Sequence, residues 1–466
     1  VVTVVCLLAS PVLLASQNWD DHDRSGRKTA MAMAKMYLDS CDENAILFTI
    51  GDNDTFALWY AQEIEGYRRD VRVVNTSLFQ TAWYIDDMKK KAYESDPIPG
   101  QLTHKKYNSG TRDAIWYDDL LQGDTLDIKT WMNWASSDNP KTMAEVQSGS
   151  MVHTFPTKNI SIPVDKDKVA KNGTVAAKDR ASIVDTVYLS IDSNILYKNR
   201  VLMLDVIANN DWDRPIYFTG GSFGDDDYIW MKDYLQLDGV CYKLVPIKTP
   251  IDPKAPYDMG RIDTDKFYDI ATNWYWGNSG NPDIYHDTET RRNGITYRGN
   301  LARLIEKLID EGKNDKAKDI LDLAMEKMPV DKFEYYTLLE PFISGYYQIG
   351  EKEKAREIWD ELVQIYHEKL DYWSQVSYER QQNYIEEIIT DIERYRSLVD
   401  LLIYNDDTER FPEKSKEFNE YLMKFNFGSQ EEPLPEDADS IPKGEPEMGF
   451  DINDSIPQEV IDSLTQ

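Results

Sequence analysis

The chain has 466 residues, with 52 lysines and arginines against 83 aspartates and glutamates, for a formal net charge of −31. No basic footprint survives that balance, which excludes a nucleic-acid partner and describes a self-repelling, soluble surface. Three cysteines outside any CxxC or Cys/His cluster, with five scattered histidines, support neither a zinc site nor a disulfide framework.

Residues 1–16, VVTVVCLLASPVLLAS, are apolar and uncharged. A full membrane span takes about 20 such residues, so the run falls short by a few. Two readings stand: the end of a transmembrane helix, or the apolar core of a signal peptide with Ala15 and Ser16 at its cleavage site. The missing initiator methionine and basic leader favour the helix. Either reading puts the remainder of the chain on the extracytoplasmic, periplasmic side, with the membrane as a partner through this segment.

Asn18 to Arg27 comes next, with Trp19 at interfacial depth and a row of ionisable residues. Asp21, His22 and Asp23 are candidate ligand-binding residues, as a carboxylate/histidine group for a divalent cation. The alternative is a polar linker in which Asp23 or Ser25 caps the next helix. Consecutive residues of an extended loop do not all reach one ion, so no metal is assigned.

Lys28 to Cys41 keeps helical spacing, and Ala45 to Ile50 reads as a buried strand ending in Gly51-Asp52-Asn53-Asp54. A helix from Thr55 to Glu65 comes after it, with Phe56, Trp59, Tyr60 and Ile64 along one face and Gly66 as its cap. Val71 to Asn75 is a second strand. Strand, helix, strand at this spacing is a right-handed crossover, so the two strands are expected to be parallel neighbours. Ligands of such sheets sit beyond the carboxyl ends of the strands. Asp52, Asn53 and Asp54 are therefore the candidate acceptor- or ligand-binding residues. The plainer alternative makes Asp54 a helix N-cap and ties Asp52 to the loop backbone.

Gln80 to Glu94 reads as a helix stopped by Asp96-Pro97-Ile98-Pro99-Gly100. Residues 100–190 form a mixed insertion, with edge strands at Ile160–Val164 and Thr186–Ser190. Its Trp116, Tyr117, Trp131 and Trp134 either stack on sugar rings or cover a thin core. A helix at Arg200–Ala208 precedes a strand from Arg214 to Thr219. The glycines at 220, 221 and 224 are followed by Asp225-Asp226-Asp227, which repel phosphate, so this is no nucleotide loop. Tyr234 to Ile247 reads as a helix-to-strand unit broken at Gly239. The fold class is α/β: a small three-layer domain with a parallel-type sheet over 17–250, then a linker over 251–298.

From 299 to 427 the periodicity is purely helical. Gly312 to Leu321 and Gly350 to Trp359 superimpose without gaps, with Ala317 and Ala355 at matching places. The pattern resembles the tetratricopeptide repeat, although the spacing between copies exceeds the usual one and His367 stands where proline closes the unit. Such arrays mostly hold a protein or peptide partner. The acidic, proline-punctuated stretch 428–466 cannot bury a core and reads as disordered.

Three stretches together carry a wider resemblance: Asn18 to Arg27, Ile46 to Asn75 with its Gly-Asp-Asn-Asp-Thr turn and Leu58-Trp59-Tyr60, and Arg214 to Phe218 with Tyr234 to Leu237. They resemble the exported C-terminal half of a Bacteroidetes-type family of multi-pass membrane proteins with an uncharacterised domain. That family is similar to GT-C protein O-mannosyltransferases and often ends in tetratricopeptide repeats. The resemblance implies a polyprenyl-phosphate-linked sugar as donor for the full-length protein, with no cofactor in this chain. It places the catalytic acid in a membrane half upstream of Val1, so no catalytic residue is carried over and the catalytic residues stay unknown.

The expectation is the soluble extracytoplasmic part of a membrane glycosyltransferase, serving acceptor binding or scaffolding. A pure peptide-binding scaffold is the first alternative. The second is a metal-dependent hydrolase using Asp20, Asp21, His22, Asp52 and Asp54, against which stands the lack of Asn-His and His-x-His contexts.

Overall fold

The computed structural model describes residues 2–145, 149–220, 229–251 and 258–425. The described chain falls into two compact units, residues 27–278 and residues 2–26 with 279–425.

In unit 27–278 the core is a five-stranded mixed sheet. Its strands are β1 (Ile46–Thr49), β2 (Arg72–Asn75), β3 (Ile216–Thr219), β4 (Leu235–Asp238) and β5 (Cys241–Leu244). They lie in the order β4-β5-β3-β1-β2. β1 pairs in parallel with β2, Ile46 facing Arg72, and with β3, Ile46 facing Ile216. The crossover expected from strand, helix and strand is therefore present, through the helix Asp52–Glu63. Every residue of these five strands is buried, which is why none of them shows the alternation of a half-exposed strand.

The two faces are covered differently. On one, the Phe48 and Phe218 rings stack at 5.6 Å and Phe79 leans on Phe48. The helix Lys198–Asn210 packs beside that Leu78–Gln80 turn. On the other, Tyr217 hydroxyl accepts from Lys266 Nζ at 3.2 Å, which brings the helix Thr264–Asn273 onto the sheet. The helices Thr29–Asp39 and Asp52–Glu63 pack together on this face. Helix, sheet, helix is the expected three-layer arrangement.

Three expectations need correction. Tyr234 to Ile247 is a hairpin, not a helix leading into a strand: β4 and β5 are antiparallel and Asp238 faces Cys241. Buried polar residues had hidden the pattern, since Gln236 and Asp238 bond each other and Lys243 lies 1% exposed. Gly239 makes the turn at φ +62, where an L side chain is strained and a Cβ would sit 2.3 Å from Ser40 Oγ. Next, Asn159–Pro163 is the middle strand of a three-stranded sheet rather than an edge, and buries Ile160 and Ile162. Third, the stretch expected as a linker holds Thr264–Asn273, with Phe267 fully buried. Within the insertion, Trp131 is core: it is fully buried against Phe155 and donates Nε1–H to Thr157 O at 3.0 Å. Only Trp116 of the four aromatics named above is counted among the exposed large side chains.

The second unit is helical. Thr288–Asp310 packs on Asn314–Lys327, and Glu340–Gln348 on Lys352–Gln375, followed by Ile385–Tyr404 and Phe411–Leu422. Gly312 (φ +70) and Gly350 (φ +85) make the two helix turns at matching positions. Ala317 and Ala355 are fully buried, as are Leu321 and Trp359 one turn on. At its start the same unit carries the helix Val2–His22. The window Val2–Trp19 has a mean hydropathy of 1.5 and no buried share, and is long and apolar enough to cross a membrane by length and composition. The stretches 221–228 and 426–466, which include the second glycine/aspartate loop and the acidic tail, lie outside the described residues.

Candidate functional site

All three parallel strands end in a hydrogen-bonding side chain: Thr49 on β1, Asn75 on β2 and Thr219 on β3. Their ends converge on the turn Gly51–Thr55. Thr55 Oγ1 lies 2.7 Å from Thr49 Oγ1, accepts Asn75 Nδ2–H at 2.9 Å and lies 2.6 Å from Gly51 O. Asn75 in turn accepts Leu78 N–H at 2.8 Å through Oδ1, so its amide is fixed in one orientation. The turn is held both by its own contacts and by the buried polar groups that end the neighbouring strands. β1 runs to β2 on one side while β3 lies on its other side, so chain order reverses at β1. That is where open α/β sheets form their crevice.

The three candidate residues of this turn do different things. The helix starts at Asp52, with Gly51 (φ −97, ψ 175) in the N-cap position. Asp54 is therefore in the first turn and is not the cap that the sequence suggested. Asp52 and Asn53 are exposed. Asp54 is half-buried; Oδ1 accepts Thr55 N–H at 2.8 Å and Oδ2 accepts Thr219 Oγ1–H at 3.1 Å. Burial pushes its carboxyl above the ordinary range, against the lowering pull of those hydrogen bonds. Asp54 thus ties β3 to the turn, while Asp52 and Asn53 present a carboxylate and an amide to solvent at a helix N-terminus.

The helix face behind them is turned outward. Phe56, Tyr60 and Ile64 are 57%, 43% and 72% exposed, and the Phe56 and Trp59 rings lie 5.6 Å apart. Thr55, Leu58, Ala61 and Gln62 face inward instead. Small residues at 55 and 61 suit close packing, and Gln62 Nε2 donates to the carbonyls of Arg68 and Val71 at 2.9 and 2.8 Å. Helical spacing finds such a face but does not say which side of it meets solvent.

Of the other candidates, which belong to the second unit, His22 Nδ1 lies 2.9 Å from Asn18 O, within its own helix. Asp23 Oδ1 accepts Ser25 N–H at 2.9 Å and Ser25 Oγ–H at 2.6 Å, as a local turn. The side chain of Asp21 lies outside the described residues. Among the described residues, no group of three or more His, Cys, Asp and Glu could hold a metal ion.

The profile of the TMEM260-associated domain 2 matches residues 30–266, just over half of the chain. The chain belongs to this family. Its domain spans the sheet, the insertion and the start of the Thr264–Asn273 helix. No curated protein and no solved structure matches the chain. The TMEM260-associated domain therefore includes two of the three stretches that carried the resemblance, the turn at Gly51–Thr55 and the Arg214–Phe218 stretch, while Asn18 to Arg27 precedes it.

The structure also supplies a physical role for the Arg214 stretch that sequence reasoning missed. Arg214 is 9% exposed and donates to the carbonyls of Asn44 (2.8 Å), Asp96 (3.1 Å) and Pro97 (3.2 Å). Arg72, 4% exposed, donates to Lys90 O, Ser95 O and Asp96 O. Burial, then the neighbouring Arg72, pushes the Arg214 guanidinium down to about 10. The two guanidiniums thus gather carbonyls of residues 90–97, and Arg214 also that of Asn44, at the amino ends of β1, β2 and β3, opposite the candidate site.

Proposed function

We propose that this chain is the soluble extracytoplasmic part of a membrane-embedded, GT-C-like glycosyltransferase similar to protein O-mannosyltransferases. It serves acceptor binding, with the catalytic membrane half carried outside this chain. The family match over residues 30–266 carries this reading, because it ties the α/β unit to a membrane-protein family. The apolar Val2–Trp19 helix is compatible with it as an anchor. In the site, Asp52 and Asn53 offer an acceptor hydroxyl one charged and one neutral partner, and the Phe56–Trp59–Tyr60 face offers an apolar wall. The donor is a polyprenyl-phosphate-linked sugar, and the soluble part lies in the periplasm.

The helical unit favours a second role beside this one. It exposes Tyr372 at the end of the second tetratricopeptide-like hairpin and Tyr378 and Tyr384 just beyond it, and holds a protein or peptide partner. The test is sugar transfer from a polyprenyl-phosphate donor to protein acceptors, read by mass spectrometry, with the intact gene product in membranes. Transfer that stops when residues 27–425 are removed, while the membrane part still inserts, supports the proposal. No transfer by the intact product overturns it and leaves the binding scaffold.

A further inference from the structure

Cys41 and Cys241 are far apart in sequence, yet both belong to unit 27–278 and both are buried, at 5% and 0% exposure. Their thiols share one acceptor: Cys41 Sγ donates to Tyr37 O at 3.4 Å and Cys241 Sγ to the same oxygen at 3.6 Å. Both are free thiols in the structure, meeting at the one carbonyl oxygen. The backbones around them are locked in the same register. Val240 N donates to Ser40 Oγ at 3.1 Å, and Gly239 leaves no room for a Cβ beside that hydroxyl. Cys41 lies just past the end of the Thr29–Asp39 helix, and Cys241 opens β5 across from Thr219, the partner of Asp54.

We propose that Cys41 and Cys241 are a disulfide pair, closed when the chain folds in an oxidising compartment. Both Sγ–H bonds break and one Sγ–Sγ bond forms. The two electrons and two protons pass to a disulfide oxidant, either a thiol–disulfide oxidoreductase or oxidised glutathione, which leaves as two thiols. Burial, and after it the neighbouring Cys41, pushes the Cys241 thiol well above its ordinary range, so Cys241 in the folded chain is a poor nucleophile. Exchange therefore takes place before the helix end closes over β5, and the finished bond is shielded from reductant. It would fasten the Thr29–Asp39 helix to the strand beside the candidate site, closing a loop that spans most of the α/β unit.

The pairing needs no membrane half, and its natural occurrence rests on the exported location proposed above. The experiment separates the two. The full chain carrying Cys6→Ser is unfolded with reductant, refolded in detergent with a glutathione redox buffer, blocked with an alkylating agent and digested without reduction. The expected result is a peptide linking Cys41 to Cys241, an intact mass lower by two hydrogens, and a higher melting midpoint than the reduced form. A further Cys41→Ser substitution removes the linked peptide. Alkylated or glutathionylated cysteines at both positions after refolding would overturn the pairing. Protein isolated from cells under alkylating conditions then reads location. A linked pair supports export, and free thiols there, with linkage in the tube, overturn the exported location alone.

Discussion

Asp54 shows how one carboxylate can belong to a site without being its reactive group. Its raised carboxyl pKa means the folded state holds the proton more tightly than the unfolded chain. Its contribution to stability is therefore complete below the unfolded carboxylate range and is lost as pH rises through the folded value. Asp54→Asn removes that penalty while keeping an acceptor for Thr219. The expected outcome is a melting temperature at neutral pH equal to or above that of the parent, and a flatter profile upward from about pH 4 in calorimetry. Arg214 is the opposite case. Arg214→Met strands the carbonyls of Asn44, Asp96 and Pro97 and should cost about 1–3 kcal/mol in urea denaturation. Neither role was legible from composition. An acidic turn after a strand announces the place, but whether a carboxylate faces β3 or water depends on Thr219, far along the chain.

Periodicity served elements well where burial was one-sided and failed where it was complete. The parallel β1/β2 crossover and the two helical hairpins can be read from the order of strand and helix signals and from glycines at the turns. The β4–β5 hairpin was hidden because its polar residues are buried with partners, Gln236 bonding Asp238 and Lys243 pairing with Asp42, so the segment shows no alternation. Gly239→Ala combines a positive φ with a Cβ against Ser40 Oγ, and should lower the melting temperature of the α/β unit clearly, by circular dichroism. In the helical unit, Asp407 is fully buried and takes Arg356 at 2.7 Å, Lys352 at 3.1 Å and Tyr347 Oη at 2.7 Å. Burial alone would raise its pKa, but those partners hold the carboxyl well below the usual range. Its stabilisation is thus present above about pH 4 and is lost as pH falls. Asp407→Asn should cost about 3 kcal/mol at neutral pH and make the unfolding curve less sensitive to acid.

For the whole molecule, strong negative charge and the apolar helix Val2–His22 set the terms. On the proposed reading, Val2–His22 anchors an otherwise water-facing chain. Deleting it should move the protein from the membrane pellet to the soluble fraction after carbonate extraction, with the circular-dichroism melt of residues 27–425 unchanged. The candidate site was half legible at this scale. The strand-end rule located Asp52, Asn53 and Asp54, whereas the outward aromatic face and the polar residues ending each parallel strand emerge only from packing. The most direct test is sugar transfer in membranes by the intact gene product carrying Asp52→Asn with Asn53→Ala, beside the parent. An acceptor-binding turn predicts transfer to protein acceptors reduced at least tenfold, with circular dichroism and membrane insertion unaltered. Transfer at the parental rate from a folded, inserted variant would contradict an acceptor role for the turn.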